Sequence, residues 1–510
     1  MKDDDAAGPN PFGRPLFDDP AARALARVGV VDIGSNSVRL VVFDGAARSP
    51  AYFYNEKVMA GLGKGMAETG RLNPEGRARA LAALKRFALL ARALGISPLS
   101  TVATAAVREA EDGPAFAAEV EAETGLRLWV VDGREEARLS AQGVLLGWPG
   151  ATGLVCDIGG SSMELAELVG GRVGRRETSP LGPLKIQELS KKDRKAAIAE
   201  AVEGLTRAVG NKGDPLFLVG GSWRAIARLD MMRRGYPLHV LHEYRMTRTD
   251  AKRTIAWIAE NDIADLKARS GLSEARISLV PIAGEVLKAV LKAYAPSEIA
   301  ISAYGIREGM LYEQMPRRLR ERDPLIEAAR FSEAKDARLP GFGRTLYEFL
   351  RPLYRSARPA RLRLVRAACL LHDVTWRAHP DYRAEVCFDN ATRANLGGLD
   401  HPGRVFLGLA LMHRYKNARD DARFGEVLSL LDEERILAAE QLGRAMRFGA
   451  MLSVTEPGQM GALKWYPKKK RLEFVMRPET RGLFGEVAEA RFKALASSLD
   501  AEGVARVGRS

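Results

Sequence analysis

Val30-Val31-Asp32-Ile33-Gly34-Ser35-Asn36-Ser37, followed by the apolar run Val38 to Phe43, decides how this chain is read. The pattern returns 125 residues later as Val155-Cys156-Asp157-Ile158-Gly159-Gly160-Ser161-Ser162, followed by Met163, Glu164 and Leu165. Each copy reads as strand, turn, strand: an apolar run reaches an Asp, small residues bend the chain, and a second run returns. Glycine permits positive φ and lets backbone amides approach a ligand closely. Successive N–H groups in such a turn form a concavity for anions, and the Ser and Asn side chains add donors. Asp32 and Asp157, each ending a first strand, can hold a divalent cation or the water bound to it. Facing each other, the two loops would grip a phosphate chain from both sides.

The surroundings of the loops repeat as well. Strands are expected over 28–43 in two runs, at 51–59, 99–103 and 126–131. Helices are expected from Pro74 to Leu94 after the start signal Asn73-Pro74, at 114–123 and from Arg134. The order then recurs, with strands at 153–157, 163–168, 172–178 and 216–219, and helices over 193–208 and from Ser222. A long helix (274–294), a strand (298–302) and a helix (305–314) complete it. Two βββαβα halves imply two similar lobes with a cleft between them. Pro316 to Pro324 reads as an Arg-rich linker. Beyond it the pattern is helical to about residue 450. Two runs, 463–466 and 472–476, then flank Pro467-Lys468-Lys469-Lys470 as a hairpin, and a helix follows near 484–498.

At 510 residues the chain is too long for one core, so roughly two to four domains are expected. A hydrophobic content of 46% with 28% charged residues describes a globular protein. No apolar stretch reaches the ~18 residues of a membrane span. The start lacks the features of a signal peptide, so residues 1–24 are expected to be a disordered tail. Three cysteines, Cys156, Cys369 and Cys387, without metal-site spacing, suggest a reducing cytoplasm. The net charge of +14 implies an acidic partner. Charge alone cannot choose among nucleic acid, a membrane surface and another polyanion; zinc-finger spacing, an RNP signature and a lysine-rich tail, which would favour nucleic acid, are missing, and neither nucleic acid nor a membrane is the expected partner.

At these residues the chain resembles the exopolyphosphatase / guanosine pentaphosphate phosphohydrolase (Ppx/GppA) family of the actin-like superfamily. The resemblance is carried by Asp32-Ile-Gly-Ser-Asn-Ser37, Ala103-Thr-Ala-Ala-Val-Arg108, Gly133-Arg-Glu-Glu-Ala-Arg138, Asp157-Ile-Gly-Gly-Ser-Ser162 with Glu164, and Val219-Gly-Gly-Ser222. Ser161 departs from it, because the family usually has a third glycine there. The resemblance implies an α/β fold: two actin-like (ribonuclease-H-like) lobes, 25–141 and 142–312, facing a cleft. A helical HD-like domain (313–445) and a small α+β C-terminal domain (446–510) would follow.

The individual residues carry two readings each. Glu135 and Glu136 open a helix, where carboxylates favour the positive end of the dipole, and Glu135 can reach Arg138 at i,i+3. Adjacent helical residues point about 100° apart, so only one can face the cleft. The resemblance makes that one Glu136, the general base that orients and deprotonates the attacking water. Arg108 is either a solvated charge or, as the resemblance implies, a bidentate phosphate clamp. Arg39, just past the first loop, has a weaker claim to the same role and is otherwise a charge that caps the strand. The phosphate-binding set is Gly34, Ser35, Asn36, Ser37, Arg108, Gly159, Gly160, Ser161, Ser162, Gly221 and Ser222. Gly221 and Ser222 are read equally well as structural. Asp32, Asp157 and Glu164 are the candidate ligands of Mg²⁺, which binds through one or two carboxylates, phosphates and water.

The expected activity is hydrolysis of the terminal phosphoanhydride of inorganic polyphosphate, with Mg²⁺, alone or with a monovalent cation, by a cytoplasmic homodimer. Guanosine pentaphosphate is the alternative substrate at the same site. A non-catalytic polyphosphate or alarmone sensor and a kinase are the rivals from other classes. His372-Asp373 resembles an HD phosphohydrolase motif, but residues 325–371 hold no upstream His, so an HD-like domain without its metal is expected. Arg317, Arg318, Arg320, Arg358, Arg361, Arg363 and Lys468 to Arg471 are candidates for a basic track that extends from the cleft.

Overall fold

The computed structural model describes residues 27–44, 48–96, 99–210, 212–416, 418 and 421–508, so the expected tail 1–24 lies outside the described residues. Two compact units result, one running to Arg322 and one beginning at Asp323. In the first unit, β1 (Val28–Ile33), β2 (Val38–Phe43), β3 (Tyr52–Val58), β4 (Leu99–Ala103) and β5 (Trp129–Val130) form a sheet ordered β3-β2-β1-β4-β5. β6 (Gly153–Ile158), β7 (Met163–Val169), β8 (Arg172–Ser179), β9 (Leu216–Gly220), β10 (Arg245–Met246) and β11 (Ile299–Ile301) form a second, ordered β10-β11-β9-β6-β7-β8. Without the edge strand β10, the second order is the first read backwards. Each sheet opens with an antiparallel meander and continues with parallel strands on the other side of its first strand. The sequence repeat is therefore a structural repeat.

β1 shows why its sequence is apolar throughout. Val31 and Ile33 face one core cluster, while Val28 and Val30 face another, because successive side chains point to opposite faces. A central strand covered on both faces reads as a continuous hydrophobic run. The cover on the inner face comes from two helices, Gly133–Gly147 and Ile306–Gln314. Leu139, Val144 and Leu311 on these helices share a core with Val28 and Val30 of the first sheet and Val155 and Val219 of the second. The helices touch through glycine. A Cβ on Gly309 would overlap the Leu139 carbonyl, and one on Gly143 the Gly305 carbonyl.

The start signal Asn73-Pro74 acts as read: Asn73 accepts a hydrogen bond from the Gly76 amide at 2.9 Å and caps the helix Pro74–Ala93. Three expectations need correction. The helix expected over 274–294 is two, Glu274–Ile277 and Val280–Tyr294, broken just before Pro281, which has no N–H to continue the ladder. The strand expected at 126–131 shrinks to Trp129–Val130. The linker at 316–324 contains a short helix, Arg317–Arg320, anchored because Leu319 is buried in the core between the sheets. The gap left between 235 and 273 is also structured. It holds β10 and the helices Arg248–Glu260 and Ile263–Ser270, the first closed by a Thr247/Asp250 capping box.

The second unit is helical from Pro324–Asp336 to Glu433–Leu452 and then forms a three-stranded sheet. β12 (Gly461–Tyr466) and β13 (Arg471–Met476) make the expected hairpin, with Lys470 at a φ of 46° in the turn. β14 (Glu502–Val507) adds parallel to β13 after the helix Glu486–Ser498 and was not anticipated. Phe474 of β13 packs on Phe448 and Phe492, at ring-centroid distances of 5.4 and 6.2 Å, so sheet and helices share a core. Among the described residues no helix is long and apolar enough to cross a membrane.

Candidate active site

The two loops close identically. The Gly34 amide donates to the Ser37 carbonyl at 3.0 Å, and the Gly159 amide to the Ser162 carbonyl at 2.9 Å. Each loop is also braced from behind. Asn36 and Ser35 carbonyls accept from the amides of Gly61 and Gly63, and the Gly160 carbonyl accepts from the Leu184 amide. The turns meet across the cleft, with Ser35 Oγ 2.9 Å from Ser161 Oγ. The residue that departs from the family pattern thus supplies a direct bond between the lobes. At the end of β9, Gly220 takes a φ of 114° and opens the helix Gly221–Arg234. A Cβ there would run into the Ile158 carbonyl and sit 3.1 Å from the Asp157 carboxylate, so this approach demands glycine.

Glu135 and Glu136 are separated by their direction. Asp132 caps the helix Gly133–Gly147 by accepting from the Glu135 amide at 2.8 Å. Glu135 then bonds Arg138 at 2.6 Å, and Arg138 reaches on to Glu313 at 2.6 Å. One residue further round, Glu136 is only 9% exposed. Its carboxylate accepts from Arg108 Nη1 at 3.2 Å, and that nitrogen also donates to the Val131 carbonyl at 2.9 Å.

Burial, then the negative charge of Asp157, pushes the Glu136 carboxyl above the usual range, while Arg108 pulls it down. Glu164, 1% exposed, is raised in the same way by burial, Glu136 and Asp157. Burial also raises Asp157, against hydrogen bonding from Ser140 and the charge of Arg224. It raises Asp32 too, against Arg307, whose Nη1 lies 3.6 Å away, and Arg39. Glu136 feels both aspartates and Glu164, so acids from both lobes form one electrostatic cluster.

A matching cation cluster was missed by sequence reasoning. Burial lowers the Lys57 ammonium, and the positive charges of Arg276, Arg39, Arg307 and Arg224 lower it further. Arg224, pulled down to about 10 by burial and then by Arg307, donates to the Ser302 carbonyl at 3.4 Å. Arg307 has a buried Nε with no hydrogen-bond partner among the described residues. These cations come from β2, β3 and three separate helices. Arg224 and Arg307 did have a signal: each lies in the first turn of a helix that follows a strand and glycine, after Gly220 and Gly305. Lys57 and Arg276 had none.

Glu164 Oε1 accepts from Thr178 Oγ1 at 3.0 Å, whereas Oε2 is buried without a partner among the described residues. An orphaned carboxylate oxygen among acids that repel one another fits a hard cation. Among the described residues no three His, Cys, Asp or Glu side chains form a ready-made metal cage. Mg²⁺ does not require one, since phosphate and water complete its octahedron.

The family model for the Ppx/GppA phosphatases matches residues 41–318, more than half of the chain. The chain belongs to the Ppx/GppA phosphatase family. A second model, for the C-terminal part of exopolyphosphatases, matches residues 353–502. Among this family's relatives, Exopolyphosphatase 1 of Mycobacterium tuberculosis is 26% identical over 305 residues, covering 57% of this chain and 88% of that protein. Retrograde regulation protein 2 of Saccharomyces cerevisiae is 24% identical over 440 residues, 76% of this chain and 72% of that protein. The crystal structure of an exopolyphosphatase from Cytophaga hutchinsonii superposes with a TM-score of 0.52 at 24% identity, covering 57% of this chain and 97% of that one. That likeness supports the actin-like fold of the Ppx/GppA lobes.

Some of the candidates for a basic track are held by neighbours within their own unit. Arg363 is held by Asp323 at 2.8 Å, Arg317 by Glu321 at 3.0 Å, Lys470 by Asp500 at 2.5 Å and Arg471 by Glu473 at 2.9 Å. Arg320 donates to the Met315 and Glu313 carbonyls, and Arg361 lies 4.6 Å from the Phe406 ring centroid. His372 and Asp373 are also engaged: His372 Nδ1 bonds the Cys369 carbonyl at 2.9 Å, and Asp373 bonds Arg338 at 2.6 and 2.7 Å.

Proposed function

We propose that the chain is an exopolyphosphatase, releasing orthophosphate from the end of inorganic polyphosphate by direct attack of water. The observation that carries this reading is Glu136: a buried carboxylate beside Arg108, in one acidic cluster with the Asp of each glycine loop. In the proposed step, the Glu136 carboxylate accepts a proton as the water oxygen bonds to the terminal phosphorus. The bond from that phosphorus to the bridging oxygen breaks, and the chain leaves one phosphate shorter. The burial that raises this carboxyl also makes it a stronger base once ionised. Gly34 to Ser37 and Gly159 to Ser162 hold the phosphoryl oxygens through backbone amides and hydroxyls, and Arg108 clamps the terminal group. Arg39, Lys57, Arg224, Arg276 and Arg307 neutralise the penultimate phosphates, the positioning and charge compensation on which phosphoryl transfer depends. Asp157, Glu164 and Asp32 are the residues that would hold Mg²⁺, which when bound neutralises charge on the reacting phosphate. Three buried free thiols, Cys156, Cys369 and Cys387, support a reducing cytoplasm as the working compartment. A homodimer belongs to the same proposal on family grounds.

The test compares orthophosphate release from long polyphosphate and from guanosine pentaphosphate, by the native chain and by Glu136→Gln and Glu135→Gln. A base contributes about 10²–10⁴-fold, so Glu136→Gln should lose at least the lower figure while folded, and Glu135→Gln far less. Equal losses would remove Glu136 from the role. Faster turnover of guanosine pentaphosphate would replace the substrate.

A further inference from the structure

A second place in the molecule has the make-up of a binding site, and it lies in the unit that begins at Asp323. The helix His401–His413 ends by delivering Arg414 to the wall of a pocket of about 230 Å³. Arg414 is 6% exposed, its Nε is buried with no hydrogen-bond partner among the described residues, and its guanidinium carbon lies 4.8 Å from the Tyr415 ring centroid. The one carboxylate in the wall is already spent. Asp373 holds Arg338 through both oxygens and accepts from Tyr415 Oη at 3.2 Å. His372, whose Nδ1 faces the Cys369 carbonyl at 2.9 Å, is kept neutral by burial and then by the Arg414 charge, with its pKa pulled down to about 3. The two arginines and one aspartate leave the lining with one positive charge in excess. A buried guanidinium nitrogen without an acceptor is costly, and ordinary folded structure supplies one.

The rest of the wall is apolar. Phe342 stacks on His372 at 5.1 Å between ring centroids, and Val454 stands at the rim, 68% exposed. The volume is below the ~300–1,000 Å³ of pockets that take drug-sized ligands, so the occupant is small. We propose that this pocket binds a small organic anion, with one phosphate or carboxylate group on the Arg414 guanidinium and a compact apolar body against Phe342 and Val454. A planar fork of donors suits either oxyanion. The site is separate from the Glu136 cleft and does not depend on the activity proposed there.

The experiment is calorimetric titration of the full chain with phenyl phosphate and with benzoate, beside orthophosphate and benzyl alcohol, in the native protein, Arg414→Gln and Val454→Trp. The expected result is binding of phenyl phosphate or benzoate that both substitutions weaken at least tenfold, with polyphosphate turnover within about twofold of native. Whichever of the two binds more tightly identifies the oxyanion. Orthophosphate should bind more weakly for lack of a body, and benzyl alcohol for lack of charge. Should Arg414→Gln unfold the chain, Val454→Trp decides, because it fills the mouth from an exposed position. No binding, binding untouched by Val454→Trp, or orthophosphate binding as tightly as both aryl anions would overturn the proposal.

Discussion

The hairpins β1–β2 and β6–β7 are one device made twice, and they differ most at a single cross-strand position. Opposite Asp32 stands Arg39; opposite Asp157 stands Glu164. Arg39 leaves its strand to bond Asn55 at 2.7 Å, at the side of the cleft where Lys57 adds a second cation. Glu164 stays in its strand, buried, and adds a carboxylate beside Asp157 and Glu136. A change of sign at equivalent positions therefore divides two similar phosphate loops into a cationic side and an acidic side. Duplication supplies the geometry, and one side chain sets the chemistry.

After Glu136→Gln, the largest expected effect tests the acidic side. Glu164→Gln keeps the shape but removes the carboxylate to which the orphaned oxygen belongs. Turnover should fall by about 10–100-fold, the scale on which metal-site partners act, and half-maximal activity should need more Mg²⁺. An unchanged Mg²⁺ requirement would break the division. On the cationic side, Arg39→Gln should raise KM for long polyphosphate several-fold, more than it lowers kcat, as loss of uniform binding does. A fall confined to kcat would place Arg39 with the reacting groups instead.

The acidic cluster also makes stability depend on pH in a known direction. Burial raises Glu136, Glu164, Asp157 and Asp32 above the usual carboxylate range, so the folded chain holds these protons more tightly than the unfolded one. That contribution is fully present below the ordinary carboxylate pKa and is lost as pH rises through the raised values. A divalent cation favours the ionised form, so Mg²⁺ should raise Tm more at pH 8 than at pH 6. Thermal melts at both pH values decide it, and equal or reversed shifts would sink the cluster as a cation site. The smallest effect belongs to the bridge between the loops. Ser161→Gly removes the bond to Ser35, worth about 0.5–1.5 kcal/mol, and should lower Tm by about a degree with activity within a few-fold. A tenfold change in kcat would make the bridge a gate rather than a brace.

Much of this was legible before any coordinates. The repeat, the Asp–Gly–Ser turns, the start of the helix at Asn73-Pro74 and the buried strand β1 are each written in a few neighbouring residues, because turn chemistry, capping and hydrophobic period act over short range. The pairing of Glu135 with Arg138 was also readable, since i,i+3 neighbours meet on any helix. Where local signals competed, the reading failed: Pro281 outweighed the apolar period of 274–294, and burial of Leu319 turned a linker into a helix. Tertiary structure alone decided the rest. Glu136 became the buried acid because its face of the helix packs against the helix Ile306–Gln314 at Gly143 and Gly309 and against β7 and β8. Arg224, Arg276 and Arg307 met Lys57 only because separate helices converge, and the Arg414 Nε went without an acceptor because neighbouring chain segments enclosed it. Burial and electric field are properties of three-dimensional neighbours, and no window of sequence contains them.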